Sequence, residues 1–231
     1  MVKNIIFDLG NVLISFKPSE YFEKNNYPEA IKATILSDIF GSKEWLMLDN
    51  GEITTPEAID AIAKKSPLKK EEIDHIFNLR TDLMFPLDQN VRLLPGLKKR
   101  GFRLYYLSNF PLDIFYEIKS GYYFFKHFDG GLISSEAKFS KPDIVIYKTL
   151  LEKYSLMPEE CLFIDDAEIN VKAAEAIGMK GLVTHGSLEI SKEILLKHFD
   201  SVDKIKSAST EELENLVGSA KSAILSGYFR K

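Results

Sequence analysis

The sequence predicts an α/β protein with a doubly wound, Rossmann-like parallel sheet and an all-helical insertion. Two observations carry this prediction. Short apolar runs, typical of strands buried on both faces, alternate with helical segments through most of the chain. Between the first and second runs, residues 15–90 contain no convincing strand but several helical segments. Because helices this numerous need a shared apolar core, we expect the insertion to form a subdomain.

Five apolar runs are expected to form the strands of the sheet. They are residues 2–7, 103–107, 131–134, 161–164 and 181–184. The second run follows a basic helical turn that Gly101 brings to an end. The third run is short and weak, whereas the fourth and fifth are compact and apolar.

Two helices are predicted between the later strands. The first covers residues 142–154, and Pro142 suits its first helical position. Its expected apolar face comprises Ile144, Tyr147, Leu150 and Leu151. The second covers residues 169–177, is rich in alanine and ends at Gly178. Strands that alternate with helices in this way indicate a parallel sheet.

Apolar spacing marks the helices of the insertion. The clearest signals are Ile31, Ile35 and Ile39, the run from Pro56 to Ala63 after Thr54-Thr55, and Ile73, Ile76 and Phe77. We therefore expect a Rossmann-like core of residues 1–14 and 91–200 and a helical cap of residues 15–90. Residues 201–231 are expected to form a helical tail of unknown role.

Composition excludes several classes of protein. The 231 residues carry a net charge of −4 with acids and bases interspersed, which argues against nucleic-acid binding. The single cysteine, Cys161, lies in an apolar run and excludes a disulfide framework. No apolar run approaches the length of a membrane span, and the N-terminus runs straight into a strand. We expect a soluble, cytoplasmic protein, and the oligomeric state stays open.

A carboxylate follows the first predicted strand. Asp8 comes directly after Ile5, Ile6 and Phe7, and open α/β folds bind their ligands at the carboxyl edge of the sheet. An aspartate here can also serve only to start a turn. Polar groups at the ends of later strands favour the functional interpretation.

Three of those groups follow in the next part of the chain. The second strand is followed by Ser108 and Asn109; a serine at this position either forms a turn or donates to a phosphate oxygen. Lys141 stands at a predicted helix start. A solvated surface lysine is the ordinary alternative, but a cation is disfavoured at that end of a helix unless carboxylates or a phosphate neutralise it.

Two adjacent carboxylates follow the fourth strand. Asp165 and Asp166 come directly after Ile164, and Asn170 follows. The two carboxylates repel each other unless a cation lies nearby, and hard oxygen ligands of this kind suit Mg²⁺. Capping of the next helix by Asp166 is a second interpretation that does not exclude the first.

Together these groups can supply the functions that phosphoryl transfer requires. One carboxylate can attack phosphorus and form an aspartyl phosphate. A divalent cation, a lysine, a hydroxyl and backbone N–H groups can stabilise the charge of the transferring group.

The order of these motifs resembles the haloacid dehalogenase (HAD) superfamily, in particular its phosphatases with a helical cap inserted after the first motif. The resemblance extends to about His198 and rests on residues 8–12 (Asp-Leu-Gly-Asn-Val), 108–109, 141–142, 165–166 with Asn170, 173–174 and 177–179. The Leu-Gly-Asn-Val form is similar to that of bacterial sugar-phosphate phosphatases, among them an α-D-glucose-1-phosphate phosphatase. The resemblance therefore implies a small phosphorylated metabolite as substrate.

The resemblance also implies the catalytic and metal-binding residues. Asp8 is expected to be the nucleophile and a Mg²⁺ ligand. The backbone carbonyl of Gly10 and the side chain of Asp166 are expected to complete the protein ligands. Lys141 is expected to neutralise Asp8 and the phosphate.

Supporting roles follow from the same resemblance. Ser108 and the backbone N–H of Asn109 are expected to bind phosphate oxygens. Asp165 is expected to hold either a metal-bound water or Lys141. Asn170 stands where many members have a second acid. It is expected to contact the metal ligands and not the metal itself.

Two residues depart from the pattern of the family. Most of its phosphatases carry an aspartate two residues after the nucleophile as general acid and base, and here that position is Gly10. Either the substrate has a good leaving group, such as the anomeric oxygen of a sugar 1-phosphate, or water or a cap residue supplies the proton. Lys138 stands where relatives often have glycine, so the loop differs in shape or the lysine adds charge near the phosphate.

The cap is expected to lie over the site and to exclude water, with hinges near residues 15–18 and 85–90. Candidate substrate contacts around the Gly51 turn are Trp45, Asp49, Asn50 and Glu52. Packing within the cap is the alternative for Trp45.

Other functions share part of this pattern. A haloacid dehalogenase has the fold and the nucleophile but uses no Mg²⁺ and differs in sequence after Asp8. In a signalling receiver domain the pair of acidic residues comes first in the chain, and no helical cap is inserted. A phosphomutase needs the second aspartate of the first motif, and here that position is Gly10. A non-catalytic phosphate-binding protein remains an alternative because of Gly10, although Asp8, Lys141 and Asp166 are all present.

Overall fold

A computed structural model describes residues 2–184 together with Ser209 and Glu211. In chain order its elements are β1 (Asn4–Phe7), β2 (Ile14–Phe16), α1 (Pro18–Lys24), α2 (Glu29–Ile35), a π-helical turn (Leu36–Phe40), α3 (Lys43–Asp49), α4 (Thr55–Ala63), α5 (Lys70–Asn78), β3 (Met84–Pro86), α6 (Asp88–Val91), α7 (Leu94–Lys99), β4 (Arg103–Ser108), α8 (Leu112–Gly121), a 3₁₀ turn (Tyr123–His127), β5 (Gly130–Ile133), α9 (Ser134–Ala137), α10 (Ile144–Tyr154), a second 3₁₀ turn (Pro158–Glu160), β6 (Cys161–Asp165), α11 (Glu168–Ala176) and β7 (Lys180–Val183).

Five parallel strands form the central sheet in the order β5-β4-β1-β6-β7. β1 occupies the centre, where Ile6 pairs with Tyr105 on one side and with Phe163 on the other. The α/β fold class predicted from the apolar runs is confirmed.

Helices cover both faces of the sheet, which explains why three successive residues of β1 are apolar: Ile5, Ile6 and Phe7. Ile5 and Phe7 point into one core layer, which includes side chains of α7 and α8. Ile6 points into the other layer with side chains of α10 and α11. Because every side chain of this strand is buried, the strand end fixes the position of whatever follows it.

The helices of the cap pack around an apolar core of their own. Its buried members are Phe22, Ile35, Ile39, Trp45, Leu48, Ala58, Ile59, Ile62, Leu68, Ile73, Ile76 and Phe77. Thr54 caps α4, and the Glu57 carboxylate accepts a hydrogen bond from the Thr54 N–H at 2.7 Å in return.

Two strands lie in the segment for which the sequence predicted none. β2 and β3 pair in antiparallel fashion where the chain enters and leaves the cap, with Ser15 opposite Phe85. Each strand has three residues, too few for a period-two pattern to appear. The predicted boundaries after residues 14 and 90 fall inside β2 and α6.

The helix predicted to begin at Pro142 begins two residues later. Asp143 caps α10, and its carboxylate accepts a hydrogen bond from the N–H of Val145 at 2.9 Å. Pro142 belongs to the preceding loop, where its bond to Lys141 is cis. The expected apolar face is also shifted, because Ile144 is exposed and Ile146 is buried in its place.

The predicted tail of residues 201–231 lies outside the described residues apart from Ser209 and Glu211, as do residues 185–200 of the predicted core. Within the described part of the chain, no helix has both the length and the apolar character needed to cross a membrane.

Candidate active site

The carboxyl ends of three neighbouring strands bring polar side chains together. Asp8 directly follows β1, Ser108 ends β4 and Asp165 ends β6, and β1 lies between the other two strands. All three side chains are buried. The Ser108 hydroxyl donates a hydrogen bond to Oδ1 of Asp8 at 2.7 Å. The sheet therefore brings residues about 100 positions apart in sequence into contact.

Lys141 places a buried cation between two buried carboxylates. Its Nζ lies 2.8 Å from Oδ1 of Asp8 and 2.6 Å from Oδ2 of Asp165. Burial disfavours the charged amine, but the two carboxylates outweigh this effect and raise the pKa of Lys141. The lysine is a fixed positive charge at neutral pH and not the solvated surface group that the sequence left open.

Asp8 is hydrogen-bonded through one of its two oxygens. Oδ1 accepts from the Ser108 hydroxyl and from the N–H of Leu9 at 2.7 Å, in addition to its ion pair with Lys141. Among the described residues no donor contacts Oδ2, which leaves that oxygen available to a ligand. Burial raises the pKa of Asp8 to about 6; the charge of Asp165 adds to this, whereas Lys141 and Ser108 oppose it.

Asp165 is fully engaged inside the protein. Its Oδ2 pairs with Lys141, and its Oδ1 accepts from the N–H of Ala167 at 2.8 Å. The amide of Asn170 lies 3.1 Å from both oxygens. Of the two roles anticipated for Asp165, the structure shows the contact with Lys141. Asn170 lies behind this carboxylate and holds its orientation.

Asp166 lies beside the two buried carboxylates. One carboxylate oxygen from each of Asp8, Asp165 and Asp166 falls within 4.8 Å of the others. Burial raises the pKa of Asp166, as does the charge of Asp165, while a hydrogen bond from the side chain of Asn11 lowers it. Three carboxylates around a single lysine leave an excess of negative charge, and hard oxygen donors fit Mg²⁺. Because Asp165 is committed to Lys141, Asp8 and Asp166 are the carboxylates open to a cation.

Gly10 lies in the turn after Asp8. A Cβ built at Gly10 meets no described atom within 4 Å. Packing among the described residues therefore does not require a glycine here, and a side chain at this position has room. Asn11 adopts φ 52° and closes the turn through a 2.7 Å hydrogen bond from its N–H to the carbonyl of Ile14.

Asn109 has a role that the sequence did not reveal. Its amide pairs with the backbone of Lys141 on both sides: Oδ1 accepts from the Lys141 N–H at 2.8 Å, and Nδ2 donates to the Lys141 carbonyl at 3.0 Å. The expected role of the Asn109 N–H in phosphate binding remains a prediction. The amide locks the lysine loop to the end of β4, and no pattern in the sequence points to this pairing.

The cap meets the core through residues 49–52, which we call the cap turn. Ser134 donates to the carbonyl of Asp49, and Ser140 donates to the side chain of Asn50. Lys138 Nζ donates to the carbonyl of Gly51 at 2.6 Å. Lys138 has φ 63°, a backbone conformation that glycine adopts most readily. Its Nζ contacts the cap turn, not the Asp8 cluster.

The candidate substrate contacts of the cap lie in different surroundings. Trp45 is buried in the cap core and stacks on Phe16 with 6.1 Å between ring centroids, which agrees with the packing alternative. The Glu52 carboxylate accepts from the Asn50 amide at 2.8 Å. Burial raises the pKa of Asp49 to about 7, with no charged group contributing.

A groove of about 450 Å³ runs along the cap–core junction beside the cap turn. We call it the junction groove. Its apolar lining includes Leu48, Ile53, Pro56, Pro111, Leu112 and Tyr116, and its polar lining includes Glu52, Ser135 and Lys138. The Ser135 hydroxyl is buried and has no hydrogen-bond partner in the structure. The volume is within the range of small-molecule sites.

An α/β core with an inserted helical cap, and with Asp8, Lys141 and Asp166 gathered at the carboxyl edge of its sheet, defines a capped hydrolase. The sequence matches the family model of haloacid dehalogenase-like hydrolases over residues 2–178. The chain therefore belongs to the haloacid dehalogenase-like hydrolase family.

Individual relatives agree with this assignment. The sesquiterpene phosphatase astK of Aspergillus oryzae is 29% identical over 83% of this chain and 94% of its own length. A HAD family enzyme of Bacteroides thetaiotaomicron, crystallised with magnesium and inorganic phosphate, is 27% identical with a TM-score of 0.63 over 82% of this chain and 96% of its own. A HAD-like hydrolase of Porphyromonas gingivalis is 24% identical with a TM-score of 0.67 over 85% and 98% of the two chains and shows the shared fold.

Proposed function

We propose that this protein is a Mg²⁺-dependent phosphatase that hydrolyses a small phosphate monoester through an aspartyl phosphate on Asp8. The observation that carries the proposal is the buried Asp8–Lys141–Asp165 cluster at the end of the central strand. Burial of three charged groups is costly because they lose their contact with water. In an active site such a fixed charge stabilises a charged transition state. Phosphoryl transfer has such a transition state.

The residues divide the work of this reaction. Oδ2 of Asp8, which has no donor among the described residues, attacks phosphorus while three donors hold Oδ1 in place. Lys141 stabilises the negative charge of the transferring group. The Ser108 hydroxyl, 2.7 Å from Asp8, is within reach of a phosphate oxygen at the same position.

Asp8, the Gly10 carbonyl and Asp166 would hold Mg²⁺, with the spacing of the carboxylates as support. The cation neutralises phosphate oxygens when bound. A family enzyme of Bacteroides thetaiotaomicron was crystallised with magnesium and inorganic phosphate, which supports the same choice of cation here.

The substrate that the sequence favours is a sugar phosphate, because its anomeric oxygen leaves readily and Gly10 offers no general acid. A second candidate is a phosphate ester with an apolar leaving group. The junction groove favours it, since its lining is largely apolar and its volume of about 450 Å³ suits such a group. Similarity to a sesquiterpene phosphatase points in the same direction.

Phosphate release from a panel of esters tests the function and ranks the two candidates. The panel contains sugar 1-phosphates, an isoprenoid monophosphate, a short alkyl phosphate and an aryl phosphate, each with Mg²⁺ and with EDTA. We expect Mg²⁺-dependent release that Asp8→Asn abolishes, because an amide of the same shape cannot attack phosphorus. Asp60→Asn is the matched control, since Asp60 lies in an exposed ion pair of the cap.

The alternatives give different results in this assay. A non-catalytic phosphate-binding protein releases no phosphate from any ester but still binds phosphate in the presence of Mg²⁺. A dehalogenase releases halide from 2-haloacids in EDTA. Either result would replace the phosphatase proposal.

A further inference from the structure

The proposed reaction lacks an obvious proton donor for the leaving group. Gly10 has no side chain, and Asp8 and Asp165 are both ion-paired with Lys141. Asp166 is one of the carboxylates open to a cation. A carboxyl group that reaches the leaving oxygen must therefore come from another part of the chain. The cap turn is one place where the cap contacts the core, next to the loop after β4 and the loop that carries Lys141.

Asp49 ends helix α3 between two of those loops. Its carbonyl accepts from the hydroxyl of Ser134, which itself accepts from the N–H of Phe110 at 2.9 Å, directly after Asn109. The next residue, Asn50, accepts from Ser140, which precedes Lys141. The backbone of Asp49 is thus held between the loop after β4 and the loop that carries the lysine.

Asp49 lies at the border of the cap core. Of its two neighbours on the same side of α3, Trp45 packs into the cap core, whereas Leu46 is 63% exposed. The contacts of the cap turn carry this border to the core.

The carboxyl of Asp49 also lacks a partner. Within the described part of the chain it accepts no hydrogen bond and forms no ion pair, and burial raises its pKa to about 7. Asp49 is half-buried, and a carboxyl in such a position that serves only structure is often paired. A carboxyl that titrates near neutral pH can both donate and accept a proton under working conditions. Glu52, the other acid of the cap turn, is already hydrogen-bonded to Asn50.

We propose that Asp49 is the general acid, and then the general base, of the phosphatase reaction. In the first half, Oδ2 of Asp8 forms a bond to phosphorus, the bond from phosphorus to the leaving oxygen breaks, and that oxygen takes the proton of Asp49. In the second half, a water oxygen bonds to phosphorus and gives its proton to Asp49, and the bond between Asp8 and phosphorus breaks. Ester and water are converted into alcohol and inorganic phosphate, and both aspartates return to their starting states. This inference rests on the proposed function.

Leaving-group dependence distinguishes a proton donor from a structural residue. A nitrophenolate leaves without a proton, whereas an alkoxide requires one. We expect Asp49→Asn to lower kcat for an alkyl phosphate by about 10²-fold or more and to lower kcat for nitrophenyl phosphate by less than about tenfold. Asn preserves the size of the side chain, and Asp60→Asn, an exposed aspartate of the same cap, controls for the change in charge.

A second variant makes the test independent of folding effects. A Cβ at Gly10 has open space around it, so Gly10→Asp can carry a carboxyl to the position next to the nucleophile. In the Asp49→Asn background we expect Gly10→Asp to raise the rate of alkyl phosphate hydrolysis relative to that of nitrophenyl phosphate hydrolysis by at least about tenfold.

The results that overturn the inference are equally specific. Equal loss on both substrates assigns Asp49 a structural role, and full activity of Asp49→Asn on the alkyl ester excludes it from proton transfer. Both of these outcomes leave the proposed phosphatase intact. If the wild-type protein releases phosphate from neither ester, the proposed function fails and the inference fails with it.

Discussion

Arg80 of the cap reaches Asp113 of the core, with 2.9 Å between Nη2 of the guanidinium and Oδ2 of the carboxylate. Thr55, the first residue of α4, donates to the same oxygen at 2.7 Å. Arg80 is buried, whereas the side chain of Asp113 is 50% exposed. One core carboxylate therefore holds two cap residues at the edge of the junction groove.

Asp113→Asn tests whether this contact keeps the cap closed. The amide retains the shape but loses the charge that faces Arg80. Charge-assisted hydrogen bonds contribute about 1.5–3 kcal/mol when shielded, and exposure of Asp113 reduces this to about 1 kcal/mol. We expect KM to rise about fivefold with a smaller change in kcat. The matched control is Glu29→Gln, which removes an exposed acid of the cap; an equal KM in both variants would exclude a role in closure.

The same contact has a defined pH dependence. Burial favours the neutral acid, but the hydrogen bond from Thr55 and the charge of Arg80 prevail and lower the pKa of Asp113. A lowered folded-state pKa contributes stability above the ordinary pKa, and this contribution disappears as pH falls through the lowered value. The unfolding free energies of the wild type and Asp113→Asn should therefore differ at pH 7 and converge below about pH 4. Urea titrations across this pH range measure the difference in unfolding free energy. A difference that does not change with pH would contradict the lowered pKa of Asp113.

Removal of Lys141 should destabilise the fold as well as stop catalysis. Lys141→Met keeps much of the aliphatic chain but leaves Asp8 and Asp165 buried beside each other without a cation. Loss of one partner of a buried ion pair costs about 3–5 kcal/mol, so we expect a decrease of that size in the unfolding free energy at pH 7. Lys172→Met, which affects an exposed pair with Glu168, should change it by less than about 0.5 kcal/mol.

Acid should relieve the defect of Lys141→Met. Burial already raises the pKa of Asp8 in the wild type, and Lys141 opposes this; without the lysine, the pKa of Asp8 lies still further above its value in the unfolded chain. The folded state then binds more protons than the unfolded state, and its stability increases as pH falls through the raised value. In unfolding titrations, the difference in unfolding free energy between the wild type and Lys141→Met should be smaller at pH 5 than at pH 7. A difference that widens would mean that the carboxylates are not the cause.

Sequence reasoning succeeded where one local signal was enough. The apolar runs around Phe7 and Ile164 identified strands buried on both faces, and the polar residues after them followed from the geometry of a parallel sheet. Asp8, Ser108 and Asp165 were placed together for that reason. Lys141 was added because a cation at a predicted helix start needs negative charge nearby and because the motif order resembles the family, although the helix begins later than predicted.

What the sequence did not reveal depends on pairs distant in the chain. β2 and β3 are three residues each and gain their strand conformation only from each other. The amide of Asn109 finds its backbone partners 32 residues away. The contact of Arg80 with Asp113 and the unpartnered carboxyl of Asp49 likewise appear only once the cap is docked. No periodicity or motif encodes such contacts.

The double contact of Asn109 with Lys141 predicts a graded series of variants. Asn109→Ala loses both hydrogen bonds, whereas Asn109→Asp can still accept from the Lys141 N–H but cannot donate to its carbonyl. Each lost bond is worth about 1 kcal/mol, so we expect kcat/KM to fall about 30-fold in the alanine variant and about fivefold in the aspartate variant. Steady-state kinetics at saturating Mg²⁺ measure kcat/KM of the wild type and of both variants. Equal losses would mean that the hydrogen bond from Asn109 to the Lys141 carbonyl accounts for the whole effect and that the bond from the Lys141 N–H contributes nothing.

Gly51 should be required for docking of the cap turn. It adopts φ +64°, and an added Cβ would lie 2.6 Å from the carbonyl oxygen of Ser135. The left-handed backbone alone costs about 1–2 kcal/mol for an alanine. In addition, the close contact with Ser135 would force the turn away from the core. We expect Gly51→Ala to lower kcat/KM at least about tenfold.

Gly121→Ala is the matched control for Gly51→Ala. Gly121 ends α8, its φ is not positive, and a Cβ there meets no described atom within 4 Å. Kinetics and thermal unfolding of the two variants separate a local effect from general destabilisation. If Gly51→Ala loses stability but keeps its kcat/KM, then docking of residues 49–52 onto the core is not needed for turnover, and the contacts of Ser134 and Ser140 with the cap serve stability alone.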